Sequence, residues 1–298
     1  MYVVFNIMYY NHLVKIMFNI TNKNILITGA TSGIGRAAAI SLAEKGANIF
    51  FVARNKIKAK NLIKDIFDKT NKQSVAIIAD LSSLKEIKKA SEEFKSFNKP
   101  LHVLLNNAGL INNSRKETID GFESTFAINH LAYFYLTHLL LDNLKDDTPS
   151  RVINVSSGAH LFVKGFDFED VHSKNSYKPF KVYGYTKLAN ILFTKKLAQI
   201  VDKDNITVNC LHPGVVGTAF GQNNGILQKI LFYIAKPFMR SSEKGAESSI
   251  YLCSSSNVEA VTGEYFYDCK VSRTSKWAKS QVDADRLWDL SKQLTGIL

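Results

Sequence analysis

From Asn24 onward, short apolar runs alternate with longer stretches in which apolar residues recur every three or four positions. The short runs read as buried strands and the periodic stretches as helices. Strands are predicted at Asn24–Thr28, Asn48–Val52, Val75–Ile78, Leu101–Leu105, Arg151–Val155, Ile206–Leu211 and Glu264–Tyr267. Helices are predicted at Ser32–Lys45, Lys56–Lys69, Ser83–Phe97 and Gly121–Asn143, then from near Tyr183, after Glu243, and over Ala284–Gln293. Gly121–Asn143 is mostly apolar, which places that helix between neighbours. Strands without a polar face, alternating with helices, imply an α/β fold: a doubly wound parallel sheet of about seven strands with helices on both faces. No internal repeat, low-complexity tract or linker interrupts the pattern, so residues 21–298 read as one domain.

Residues 1–20 stand apart. The apolar run Tyr2–Tyr10 is broken by Asn6 and followed by Asn11, His12 and Lys15, too short and interrupted for a membrane span. The stretch also lacks the charged start and small-residue cleavage site of a secretory signal. It is read as an N-terminal extension, either an overextended start ahead of Met17 or a weak peripheral anchor.

Composition changes this picture little. The chain has 298 residues, 46% hydrophobic and 21% charged, ordinary for a globular protein. The net charge of +12 raises nucleic acid or an anionic membrane as partners. The cations are scattered over helices such as Lys56–Lys69, however, and form no clustered stripe, so no nucleic-acid binding is expected. Cys210, Cys253 and Cys269 have no metal-ligand spacing and fit a reducing, cytoplasmic setting; no metal site is expected.

In a doubly wound sheet, ligands sit at the carboxyl ends of the strands near the switch in strand order. There the first strand runs into Thr28-Gly29-Ala30-Thr31-Ser32-Gly33-Ile34-Gly35 and then a helix. Glycines let the backbone approach a pyrophosphate, and the helix start offers free N–H groups and a positive dipole end. The fold is therefore of Rossmann type, with Gly29, Ser32, Gly33, Ile34 and Gly35 as dinucleotide-binding candidates. The second strand ends Val52-Ala53-Arg54-Asn55. No carboxylate stands there for the ribose hydroxyls, and Arg54 suits a 2′-phosphate, so NADP(H) is favoured over NAD(H). Arg36 adds charge nearby.

Tyr183 and Lys187 are four residues apart on the first turns of a helix, so phenol and ammonium reach one pocket. An ammonium about 4–6 Å from a phenol lowers the phenol's pKa and suits it to acid/base work. Tyr185, two positions on, faces away.

Taken together, these motifs resemble the short-chain dehydrogenases/reductases over nearly the whole chain from Asn24. The resemblance implies that Asp80 and Leu81 contact the adenine. It implies that Asn107, Ala108 and Gly109 flank the adenosine, and that Pro213, Gly214 and Thr218 touch the nicotinamide end. It gives Ser157 the place of the catalytic serine that binds the substrate oxygen, beside Tyr183 and Lys187. Asn129 takes the place of the helix Asn that supports a water-mediated proton relay to the lysine. The phrase Tyr183–Asn190, the wide gap from Ser157 to Tyr183 and the tail Gly263-Glu264-Tyr265-Phe266 resemble the retinol-dehydrogenase-like branch. The implied reaction interconverts an apolar aldehyde or ketone with its alcohol, and homo-oligomers are common in the family.

Substrate choice is expected at residues 217–241, where Ile226, Leu227, Ile230, Leu231, Ile234 and Phe238 share a helical face. That face suits a lid, a core helix or a membrane contact; the lid is preferred. Ser156 and Ser157 lack the G-x-S-x-G setting of a hydrolase. A catalytically silent NADP sensor or scaffold would have no need to keep both Tyr183 and Lys187, and an epimerase of the extended branch would carry a longer C-terminal part.

Overall fold

The structure, a computed structural model, describes residues 18–147, 149–216 and 239–297. Thr218 and most of the expected lid lie outside the described residues, as does most of the N-terminal extension.

Seven parallel strands form the centre: β1 (Asn24–Thr28), β2 (Asn48–Ala53), β3 (Val75–Ile78), β4 (Val103–Asn106), β5 (Ser150–Val155), β6 (Ile206–His212) and β7 (Tyr265–Tyr267). A two-residue antiparallel strand, β8 (Lys270–Val271), completes the sheet order β3-β2-β1-β4-β5-β6-β7-β8. All of β1, β4 and β5 is buried, including the polar residues among their apolar ones, as strands covered on both faces must be. Strand order reverses between β1 and β4, so the crevice opens where Thr28 and Asn106 end their strands. β8 has no sequence signature because both its residues are exposed.

Helices α1 (Gly33–Glu44) and α2 (Lys56–Thr70) cover one face with α7 (Ser242–Ser254). The other face carries α3 (Leu84–Ser96), α4 (Ala132–Leu139), α5 (Leu141–Lys145), α6 (Pro179–Ile200) and α8 (Gln281–Thr295). Local chemistry sets their ends. Asn55 and Ser83 accept from Lys58 N and Glu86 N to start α2 and α3, and Asn71 closes α2 at φ 54°.

The expected helix over Gly121–Asn143 is corrected. Gly121 sits at φ 82° in a turn, and the buried Glu123 carboxylate accepts from Thr125 N and Phe126 N to start the helix at Ser124. A π turn then occupies Ala127–Leu131 before α4, and Leu140 separates α4 from α5. Apolar side chains continue through each break, so the hydrophobic pattern does not mark them.

The packed domain also takes in Phe18 and Ile20, which are buried in the core under α1 and α7. Among the described residues no helix is long and apolar enough to cross a membrane.

Candidate active site

The glycine turn closes on β4. Gly29 lies at φ 67°, and a Cβ there would meet the Ala108 Cα at 2.7 Å. A Cβ on Gly35 would fall 2.3 Å from the Gly29 carbonyl oxygen. Asn107 locks this arrangement: its Nδ2 donates to the Thr28 and Gly29 carbonyls at 2.9 and 3.2 Å. Thr28 Oγ1 in turn accepts from Asn107 N and Ala108 N. Asn107 and Ala108 therefore hold the loop in shape. The hydroxyl of Thr28, the last residue of β1, is a part of the site that motif reading passed over.

The start of α1 is left open. Ser32 at its N-cap makes no side-chain capping bond, and no acidic residue stands in the first turn. Asn55, Ser83, Ser241 and Ser280 all cap their helices. The positive end of α1 is thus free for an anion, and beside it a cavity of about 640 Å³ is lined by Thr31, Ser32, Arg36, Lys58, Asn61, Lys64 and Asp65. Residues present here fit the phosphates of a nicotinamide dinucleotide. Arg54 is exposed at the end of β2 and pairs with Asp80 at 3.6 Å, while Arg36 pairs with Asp65. Asp80 Oδ1 also accepts from Ser82 N, and Leu81 packs onto the core.

Across the crevice, β5 leads into Ser156 and Ser157, and α6 presents Tyr183 and Lys187. The Ser157 hydroxyl hydrogen-bonds the Tyr183 phenol, so the 26-residue step between them closes in space. Ser157 Oγ also accepts from Ala159 N at 3.2 Å. Close approach of α6 depends on Gly184, where a Cβ would meet the Ala159 carbonyl oxygen at 2.9 Å. Tyr185 packs against Phe166 and Lys181, away from the crevice.

Lys187 is buried. Its Nζ donates to the Val155 carbonyl at 2.9 Å and lies 5.4 Å from the Tyr183 ring centre. Asn190 donates to the same carbonyl, and Ser156 Oγ donates to the Lys187 carbonyl at 2.7 Å. Asn129 lies in the π turn. Its Oδ1 accepts from Leu110 N at 2.8 Å, and its Nδ2 donates to Leu110 O and Thr186 Oγ1. The side-chain amide is thereby spent on holding the chain after Gly109 against α6. A Cβ on Gly109 would lie 3.6 Å from Lys187 Nζ, so the lysine is at the crevice floor. Pro213 and Gly214 follow β6, with Gly214 at φ 84°.

One expectation fails in the protein alone. Tyr183 is pushed up to about 12 by burial, against a pull downward from the Ser157 hydroxyl, where the Lys187 charge was expected to lower it. Burial also drives Lys187 down to about 7, so at neutral pH its charge is only part present. An unfolded lysine holds its proton to about 10.5, whereas the folded one releases it near 7. The unfolded chain therefore binds more protons between these values, and stability rises with pH there. Buried Cys210 and Cys253, raised from 9.0 to about 12, oppose this only from about pH 9. The melting temperature of the cofactor-free protein is expected to rise between pH 7 and 9. In Lys187→Met that rise should disappear; an unchanged slope would show that Lys187 is not the group responsible.

The sequence profile of the family described as short chain dehydrogenase matches residues 23–226. The chain belongs to that family. Retinol dehydrogenase 12 of Mus musculus is 39% identical over 279 residues, which cover 93% of this chain and 88% of the relative. This short-chain dehydrogenase is thus an oxidoreductase of the retinol-dehydrogenase-like branch. Among solved structures, an uncharacterised protein from Mycobacterium paratuberculosis superposes with a TM-score of 0.76 at 27% identity, covering 94% of this chain and 96% of that one. L-sorbose reductase from Gluconobacter frateurii, solved with NADPH and L-sorbose, gives 0.68 at 25% identity, covering 87% and 100%.

Proposed function

We propose that this dehydrogenase interconverts an apolar aldehyde or ketone with its alcohol, using NADP(H) and Tyr183 as the general acid/base. Family membership supports the alcohol–carbonyl chemistry. The observation that carries the finer reading is the Ser157–Tyr183 hydrogen bond with Lys187 beneath it, facing the uncapped start of α1 across the switch point.

When bound, the nicotinamide supplies or accepts the hydride. Ser157 hydrogen-bonds the substrate oxygen, and Tyr183 passes a proton to it during reduction. A phenol at about 12 carries its proton at neutral pH and so has one to give during reduction. Lys187 holds ribose hydroxyls and, when charged, favours the phenolate needed for the reverse reaction. Asn129 keeps the segment after Gly109 in register with α6 and supports a water-mediated relay to Lys187. Gly29, Ser32, Gly33, Ile34 and Gly35 receive the pyrophosphate. Asp80 and Leu81 bound the adenine, and Asn107–Gly109 flank the adenosine.

Support for NADP(H) comes from Arg36, Lys58 and Lys64 around the cavity by Ser32, and from Arg54 at the end of β2. A charge-assisted hydrogen bond contributes about 1.5–3 kcal/mol, roughly tenfold or more in affinity. Fluorescence titration should show NADPH bound at least tenfold more tightly than NADH. Replacing Arg36 or Arg54 with Ala should weaken NADPH binding and leave NADH binding unchanged. Equal losses for both cofactors would contradict this assignment. The apolar character of the substrate rests on the branch, whose mouse member compared above is named for retinol.

A further inference from the structure

Arg240 lies directly over Gly214. A Cβ on Gly214 would fall 2.7 Å from the Arg240 Cδ and Nε, so the guanidinium stem occupies the space that only a glycine leaves. Arg240 N donates to the Val215 carbonyl at 2.8 Å, and Val216 and Arg240 form a parallel bridge. The chain leaving Gly214 is thereby tied to the chain carrying Arg240.

The guanidinium is itself fixed from below. Both of its terminal nitrogens donate to the Asp268 carboxylate, and Nη2 also donates to the Tyr267 hydroxyl at 2.7 Å. Tyr267 stacks on the His212 ring, with centres 4.9 Å apart and planes 15° from parallel. His212 Nδ1 accepts from Gly214 N at 3.2 Å, which returns the chain of contacts to its start. A ring of contacts thus runs Gly214, Arg240, Asp268–Tyr267, His212 and back to Gly214.

The turn that supplies Asp268 is an expensive one. Asp268 and Cys269, joining β7 to β8, lie at φ 49° and 59°. Two-residue hairpins with both central residues at positive φ favour Asn-Gly, because a side chain at the second position is strained. Here the strained Cys269 is retained, with its N–H donating to Ser248 Oγ on α7 at 3.0 Å. The turn sets Asp268 squarely against Arg240, and that is the contact it secures.

We infer that Arg240, held by Asp268 and Tyr267, is the residue that positions the Pro213–Gly214 segment against the nicotinamide end of the cofactor. This rests on the proposed reading of Pro213 and Gly214 as that segment. Arg240 is a positioning residue: it acts on the cofactor through Gly214, leaving the pyrophosphate and adenosine contacts alone.

The test compares two probes by titration calorimetry: 2′,5′-ADP, which has no nicotinamide end, and NADPH. In Arg240→Ala, NADPH affinity is expected to fall about tenfold while 2′,5′-ADP affinity stays at the wild-type value. Asp268→Asn, nearly the same size, should show the same selective loss at about threefold. Arg240→Lys, which keeps the charge but not the fork, should restore part of it. The ratio of the two affinities is internal to each variant, so general destabilisation does not move it. Equal loss of both probes, or loss of neither, overturns the clamp and leaves the cofactor reading standing. Wild-type protein that binds neither probe overturns the cofactor reading and the clamp with it.

Discussion

Tyr183→Phe is expected to reduce turnover of any carbonyl substrate by about 10²–10⁴-fold while leaving NADPH affinity within about twofold of wild type. The substitution removes one oxygen. The ring keeps its seat beside Lys187 and the helix keeps its contact with Ala159 through Gly184, so the pocket should hold its shape. What disappears is the phenol proton that stands in hydrogen-bond contact with Ser157. Steady-state kinetics with purified variant and a titration of NADPH by fluorescence check both halves. Undiminished turnover would remove Tyr183 from the mechanism, and lost NADPH binding would make its role structural.

The second large effect lies outside the crevice. Phe18→Ala is expected to destabilise the domain by about 3–5 kcal/mol, which lowers the melting temperature by about 10 °C. Phe18 is 6% exposed, and its ring covers the guanidinium of Arg151 with the Arg Cζ 3.7 Å from the ring centre. Arg151 is 2% exposed and, among the described residues, its side chain makes one hydrogen bond, to the Leu252 carbonyl at 2.8 Å, while its Nη2 makes none. Burial pulls its pKa down to about 10, a sign of how poorly the charge is solvated. Phe18 also donates its backbone N–H to Glu259, which seats the ring. Removing the ring both opens a cavity and uncovers a buried cation. Arg151→Met should cost little, because an apolar side chain of similar length needs no partner. In the Arg151→Met background the cost of Phe18→Ala should shrink toward that of the cavity alone. A loss below about 1 kcal/mol for Phe18→Ala in the native background would contradict the account, as would strict additivity of the pair.

This pair also shows where reading the chain alone stops. Residues 1–20 read as an extension because their apolar run is short and interrupted, yet Phe18 and Ile20 belong to the core. Their partners, Arg151, Leu252 and Glu259, are more than 130 residues away, and a single aromatic carries no period. The strands were legible because parallel strands covered on both faces are mostly apolar. The glycine turn, the end of β2 and the Tyr183–Lys187 pair were legible because each needs particular residues at fixed local spacing. The interruption of Gly121–Asn143 was not, since the π turn and the break at Leu140 keep the same apolar side chains. Nor was the direction of the Tyr183 pKa, because helix spacing reports the neighbour but not the burial of both partners. The ring through Gly214, Arg240, Asp268, Tyr267 and His212 joins residues that no short motif connects.

The most direct measurement is loss of absorbance at the nicotinamide band when purified protein, NADPH and a panel of apolar aldehydes and ketones are mixed, with the alcohol product identified. The account predicts NADPH oxidation matched mole for mole by alcohol formation, and little oxidation of NADH. Protein that binds neither NADPH nor NADH, and leaves the absorbance unchanged with every carbonyl, would contradict it.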